Sequence, residues 1–150
     1  MSKNLDRTVW MAVLAAAPLS ELEKHWETIP HPKFQWIRRP EHGGIMLRGR
    51  VGRSGNIFNV GEATVTRCTL QIETGEIGVA YVLGRSKRHS ALAAMFDSLI
   101  QREQSGTGNF VSSLVFRLQE LAAEEQQKSL KDTYRTKVDF FMYGQEGGVK

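Results

Sequence analysis

The sequence predicts an α+β fold: an N-terminal helical hairpin, an antiparallel β-meander, packed helices and an extended aromatic C-terminal segment. Three observations predict it. Apolar residues recur three and four apart at the start of the chain, they alternate with polar ones in a β-branched, glycine-punctuated middle, and the helical spacing returns after Ser86.

A chain of 150 residues is an ordinary size for one domain, and its 41% hydrophobic and 24% charged residues are ordinary globular values. Residues 1–150 are therefore expected to form a single domain, with 137–150 as an extended partner-binding tail. No run approaches the roughly 18 apolar residues of a membrane span, and Met1 to Asp6 lacks the apolar region of a secretory signal. The cytoplasm is the expected location. Cys68 has no second thiol to pair with or to share a metal, so it reads as a small buried strand residue. The net charge of +4 inclines the chain toward anionic partners without choosing among nucleic acid, phosphorylated small molecules and acidic protein surfaces.

Taken in order, Trp10, Val13, Leu14 and Ala17 place one apolar face on a helix over 5–17, with Asp6 and Arg7 outward. Pro18 interrupts it. Ser20 with Glu23 has the spacing of a capping box, and Leu22, Trp26 and Ile29 supply the apolar side of a second helix that ends before Pro30. From Lys33 the period becomes two. Phe34 to Arg39 and Ile45 to Val51 read as separate strands, the second with Ile45, Leu47 and Val51 on a buried face and Met46, Arg48 and Arg50 on a wet one. Gly52 to Gly55 reads as a turn, Ile57 to Val60 as a short strand, Gly61-Glu62 as a turn, and Ala63 to Ile72 and Ile77 to Leu83 as strands joined through Glu73 to Glu76. The six glycines from Gly43 to Gly61 belong to turns and bulges on this reading.

Ser86 suits the N-cap of a helix running to about Arg102, with Leu92, Met95, Phe96 and Leu99 as its packing stripe. Gly106 and Gly108 end it. Residues 110–118 fit strand and helix periods equally poorly and stay open, whereas Gln119 to Tyr134 reads as a helix with a thin stripe of Leu121, Ala122, Leu130 and Tyr134. The closing run Val138, Asp139, Phe140, Phe141, Met142, Tyr143 carries enough aromatic surface to require burial, on its own domain or on a partner. Val138, Phe140, Phe141, Met142 and Tyr143 are accordingly the candidate partner-docking residues.

Arg85, Lys87, Arg88 and His89 crowd the start of the third helix, where the macrodipole disfavours cations by roughly 0.3 to 1 kcal/mol each. They are candidates, with Arg67 on the neighbouring strand, for binding an anion or an acidic partner; fanning out into water is the plainer reading. A general base needs an orienting partner, and spacing supplies none for His89. His25, His31 and His42 show no metal-ligand spacing and read as surface residues. Gly52-Arg53-Ser54-Gly55 has the bare Gly-x-x-Gly form of an RNA-clamping loop, but its flanks read as strands, so a basic hairpin turn fits better. Phosphate-loop, nucleophile-elbow and dinucleotide signatures are lacking. No catalytic residue and no metal site is assigned.

The chain resembles the PhnG family, the G subunits of the bacterial carbon-phosphorus lyase core complex of phosphonate degradation. The resemblance lies in Arg7 with Trp10 to Ala15, in Gly61-Glu62-Ala63-Thr64-Val65-Thr66-Arg67, in Gly78 with Val82-Leu83-Gly84-Arg85-Ser86-Lys87-Arg88-His89-Ser90-Ala91, and in Val138 to Phe141. It implies assembly with H, I and J subunits, the I subunit most directly, and joint action with the L subunit. The implied step is displacement of adenine from MgATP by a phosphonate, giving alpha-D-ribose 1-phosphonate 5-triphosphate. On this resemblance the chain is part of a multi-subunit transferase, is not catalytic alone and binds no cofactor of its own, MgATP being a substrate of the complex. A direct anion-binding contribution to that active site is the alternative. A small RNA-binding module using Arg48, Arg50, Arg53 and the cations at the start of the third helix is the reading from another class, and the basic residues lack an interleaved aromatic platform.

Overall fold

The computed structural model describes residues 6–52, 54–106 and 111–135, with side chains as far as residue 129, so the aromatic run 138–143 lies outside the described residues. Helices α1 (Arg7–Ala16) and α2 (Leu19–Thr28) lead into strands β1 (Phe34–Arg50), β2 (Ile57–Ile72) and β3 (Ile77–Leu83), followed by helices α3 (Lys87–Gln104) and α4 (Ser112–Arg135). The strands form one antiparallel sheet in the order β1-β2-β3. By internal contacts the described residues divide into two units, one ending at residue 119 and one beginning at residue 120.

Helix α1 starts at an Asp6 cap, whose carboxylate accepts from Thr8 N–H at 3.2 Å. Helix α2 starts two residues earlier than its capping box predicts. Pro18 occupies the cap position with no side-chain bond, Ser20 falls inside the first turn, and Glu23 turns to Arg88 at 3.3 Å. Proline is preset for such a helix start, which makes the serine dispensable.

The two short strands expected from Phe34 to Val51 are one 17-residue strand, and the two expected from Ile57 to Ile72 are one of 16. Register shifts between Trp36 and Arg38 and between Arg38 and Glu41 each insert an extra β1 residue, and a third, between Leu47 and Arg48, leaves Val60 of β2 unopposed. Pro40 survives because β1 is an edge strand, where bulges and a missing N–H do not break a central ladder. The face expected to bury Ile45, Leu47 and Val51 is exposed instead, as are Met46, Arg48 and Arg50. Alternation marks the two faces of a strand but not what covers either one.

Residues 66, 68, 70 and 72 of β2 are buried on the face toward α3, with Ala80 and Val82 beside them on β3. Gly78 brings β3 so close to α3 that a Cβ there would overlap the carbonyl oxygen of Ala94. Every residue of α3 from Leu92 to Ile100 is buried, so the helix is enclosed well beyond its four-residue stripe. Trp10 and Leu14 of α1 and Leu22 of α2 complete that enclosure, each large apolar side chain adding about 1.5 to 3 kcal/mol of burial. The open stretch at 110–118 is helical from Ser112 onward. Glu103 accepts from Val111 N–H and Ser112 N–H and from the Ser112 hydroxyl, an acidic cap supplied from the end of α3. Leu114, Val115 and Leu118 of that helix are buried, whereas Leu121 is half-buried and Ala122 exposed. Among the described residues no helix is long and apolar enough to cross a membrane.

Candidate functional site

The turn into α3 is built on Gly84, whose φ of +94° suits a residue without a side chain. Its N–H donates to the Thr64 carbonyl at 2.9 Å and its carbonyl accepts the Thr66 hydroxyl at 2.7 Å. Because that hydroxyl proton is used on Gly84, Thr66 accepts from His42 Nδ1–H at 3.1 Å. His42, read in the sequence as a surface histidine, is thereby tied to the turn. Ser86 caps α3 by accepting from His89 N–H at 3.2 Å, and the first turn contains no acidic residue.

The five residues singled out for anion or partner binding do not form one cluster. Arg85 and Lys87 are exposed at the helix start, with no side-chain hydrogen bond or ion pair among the described residues. Arg88 is engaged with Glu23. The His89 ring points inward, 9% exposed, with Nε2–H on the Leu14 carbonyl at 2.9 Å. Arg67 shares the sheet face opposite α3 with its pairing partner Glu41, 2.9 Å away. Among the described residues the fold thus leaves Arg85 and Lys87 unpaired beside a helix N-terminus and puts the imidazole to work joining α1 to α3.

Asp97 carries a polar constellation that sequence reasoning missed. Fully buried on α3, it accepts from Arg7 Nη2 at 2.8 Å, Arg7 Nε at 3.2 Å, Trp10 Nε1 at 2.8 Å and Val79 N–H at 2.9 Å. Arg7 Nη2 and Gln101 Nε2 also reach the Ile77 carbonyl, at 3.2 and 2.8 Å. Both groups belong to the outer edge of β3, so this network satisfies part of an otherwise open strand edge. The signal lay in the sequence as an acid between Phe96 and Ser98 on the apolar side of α3, opposite an arginine and a tryptophan three apart. Asp97 has all its bonds inside the protein, which suits a structural post.

Cys68 is buried on β2, as expected, and its thiol donates to the Ser90 carbonyl at 3.1 Å. Burial pushes its pKa up. Among the described residues no group of three or more His, Cys, Asp or Glu side chains could hold a metal ion.

The sheet face away from α3 is the other exposed chemistry. Ile45, Leu47, Phe58, Val60, Tyr81 and Leu83 are between 38% and 68% exposed. Gly49 leaves the room over which Phe58 and Val60 lie.

A helix-backed antiparallel sheet with an apolar open face and free cations at a helix start defines a small α+β protein whose distinctive chemistry lies on its surface. The family described as "Phosphonate metabolism protein PhnG" matches residues 5–144. The chain is also 39% identical over 137 residues to the "Alpha-D-ribose 1-methylphosphonate 5-triphosphate synthase subunit PhnG" of Rhizobium meliloti (strain 1021), covering 91% of this chain and 86% of the relative. The chain belongs to the PhnG family of phosphonate metabolism proteins.

Proposed function

We propose that this chain is the G-type subunit of an alpha-D-ribose 1-methylphosphonate 5-triphosphate synthase, in which it serves assembly and supplies no catalytic group. The observation that carries the reading is the 39% identity across 91% of the chain to a subunit of that synthase. The reaction is the displacement of adenine from MgATP by a phosphonate, and the chain works beside H, I and J subunits, with the L subunit, in the cytoplasm. Supporting an assembly role, Asp97 and His89 are spent on internal bonds, whereas apolar side chains stand in water on the open sheet face. The C-terminal run from Val138 to Tyr143 is the anchor toward the I subunit. Deleting residues 138–150 is expected to abolish co-purification with that subunit and to leave the thermal unfolding of the remaining chain intact. Retained assembly after the deletion removes the anchor.

A second reading is favoured by Arg85 and Lys87, exposed at a capped helix start with no acidic neighbour in its first turn. In the assembled complex they offer charge to the triphosphate or the phosphonate. The double variant Arg85→Ala/Lys87→Ala is expected to raise KM for MgATP or phosphonate in the reconstituted complex without dissolving it. Unchanged kinetics dismisses this reading. His89 is left intact in that experiment because its ring holds α1 to α3.

A further inference from the structure

Strand β3 ends at Leu83, opposite Val65, and Gly84 N–H makes the last bond to β2 at Thr64. Beyond that point β1 and β2 continue alone, pairing from Gly44↔Thr64 to Arg50↔Ile57. Among the described residues this distal ribbon has two strands and no third strand on either edge. Its side chains are open on both faces, Ile45, Leu47, Phe58 and Val60 being exposed on one and Met46 and Ile57 on the other. A two-stranded ribbon without a third strand or a helix is marginal in water, and exposed apolar strand edges invite pairing with another chain.

The charge on the ribbon decides between occupants. Residues 43–64 carry three arginines, Arg48, Arg50 and Arg53, against a single acid, Glu62. Two copies meeting about a twofold axis would bring these like charges together, because such an interface repeats the same patch on both sides. A different chain with carboxylates suits it instead. Side chains alternate along a strand, so a partner strand lying beside the ribbon must present apolar residues on the side of Leu47 and Phe58 and acidic ones on the side of Arg48 and Arg50.

We infer that the distal ribbon, residues 43–50 and 57–64, is a docking arm that pairs through a free edge with a strand of alternating apolar and acidic residues from another subunit. This rests on the subunit reading above and assigns a second contact, independent of the C-terminal run. The apolar face supplies burial, the strand edge supplies register, and the arginines select against a second copy of this chain.

The test uses the full chain co-expressed with an affinity-tagged I subunit and untagged H and J subunits. Three forms are compared: the wild type, Leu47→Ser/Phe58→Ser and Arg48→Glu/Arg50→Glu. The substituted side chains are exposed, so both variants are expected to melt with the wild type when purified alone. The wild type is expected to be retained, and each variant at least tenfold less. In the assembled wild type, amide exchange over 43–50 and 57–64 is expected to slow at least tenfold. Wild-type retention of both variants, or unchanged exchange in the complex, overturns the docking arm and leaves the subunit reading standing. A wild type that fails to assemble at all overturns both. A self-associated wild type that Leu47→Ser/Phe58→Ser renders monomeric, with the complex still formed, makes a second copy the occupant and overturns the proposal.

Discussion

Arg7 of α1 and Asp97 of α3 meet at 2.8 Å across ninety residues of chain, and the carboxylate is 1% exposed while the arginine is 44% exposed. The asymmetry matters for the energetics. The exposed partner keeps much of its hydration, whereas the buried one relies on Trp10, Val79 and Arg7 to replace the water it has lost. Asp97 therefore joins α1, β3 and α3 at one point and closes part of the open edge of the sheet.

Replacing Asp97 by alanine strands an indole N–H, a backbone N–H and the guanidinium at once. The expected loss is about 3 to 5 kcal/mol in urea unfolding, against about 1 to 3 kcal/mol for Arg7→Ala, which deprives the buried carboxylate of two bonds but leaves it Trp10 and Val79. Equal effects of the two substitutions would refute this ranking.

Gly78 is expected to be intolerant of any side chain, because a Cβ would overlap the Ala94 carbonyl, which the helix backbone cannot move aside. Gly78→Ala is predicted to destabilise by about 1 to 3 kcal/mol or more through separation of β3 from α3. Gly75→Ala, with open space around it but a φ of +106°, serves as the comparison and costs about 1 kcal/mol. Calorimetry or chemical denaturation of both variants checks the order.

Cys68 is predicted to resist aromatic disulfide reagents in the native protein at about pH 8, since a buried thiol with a raised pKa offers little thiolate. Its labelling should then follow global unfolding. Rapid labelling of the folded chain would show that β2 opens locally at this point.

Glu21 tests the acid side of the stability curve. Its pKa lies below the ordinary carboxylate value, chiefly through the hydrogen bond from Lys24 at 2.8 Å, with Arg117 at 3.5 Å adding attraction. A lowered folded-state pKa contributes stability that is present at neutral pH and lost as pH falls through it. Glu21→Gln should therefore lower Tm slightly at neutral pH, and the difference should vanish as pH falls through the lowered folded-state pKa. The pair is solvent-screened, so the effect is small. A difference that grows on acidification would contradict the sign.

Much of the scaffold was legible because its signals are local. The start of α3 is the clearest case: the Ser86 cap and the apolar spacing of Leu92, Met95, Phe96 and Leu99 placed its start, and the cap accepts from His89 as its position requires. The meander was legible through β-branched runs and the turn at Gly75. Strand continuity was not, because Pro40 and the Gly43-Gly44 pair look like breaks to a reader of local signals, and only an edge position with bulges makes them harmless. The site was less legible than the fold. Spacing placed Arg85, Lys87, Arg88 and His89 together, yet Glu23 of α2 claims Arg88 and the Leu14 carbonyl claims the imidazole, and neither partner is near in sequence.

By itself the sequence determined the α+β class, most of the element types and the position of the main helix cap, since periodicity, capping and turn chemistry act over a few residues. The tertiary structure alone decided that Asp97 is the common acceptor of Arg7, Trp10 and Val79, that His89 faces inward, and that Ile45 and Leu47 stand exposed. Burial and pairing depend on which distant segments come within a few ångströms, and no local pattern encodes that choice.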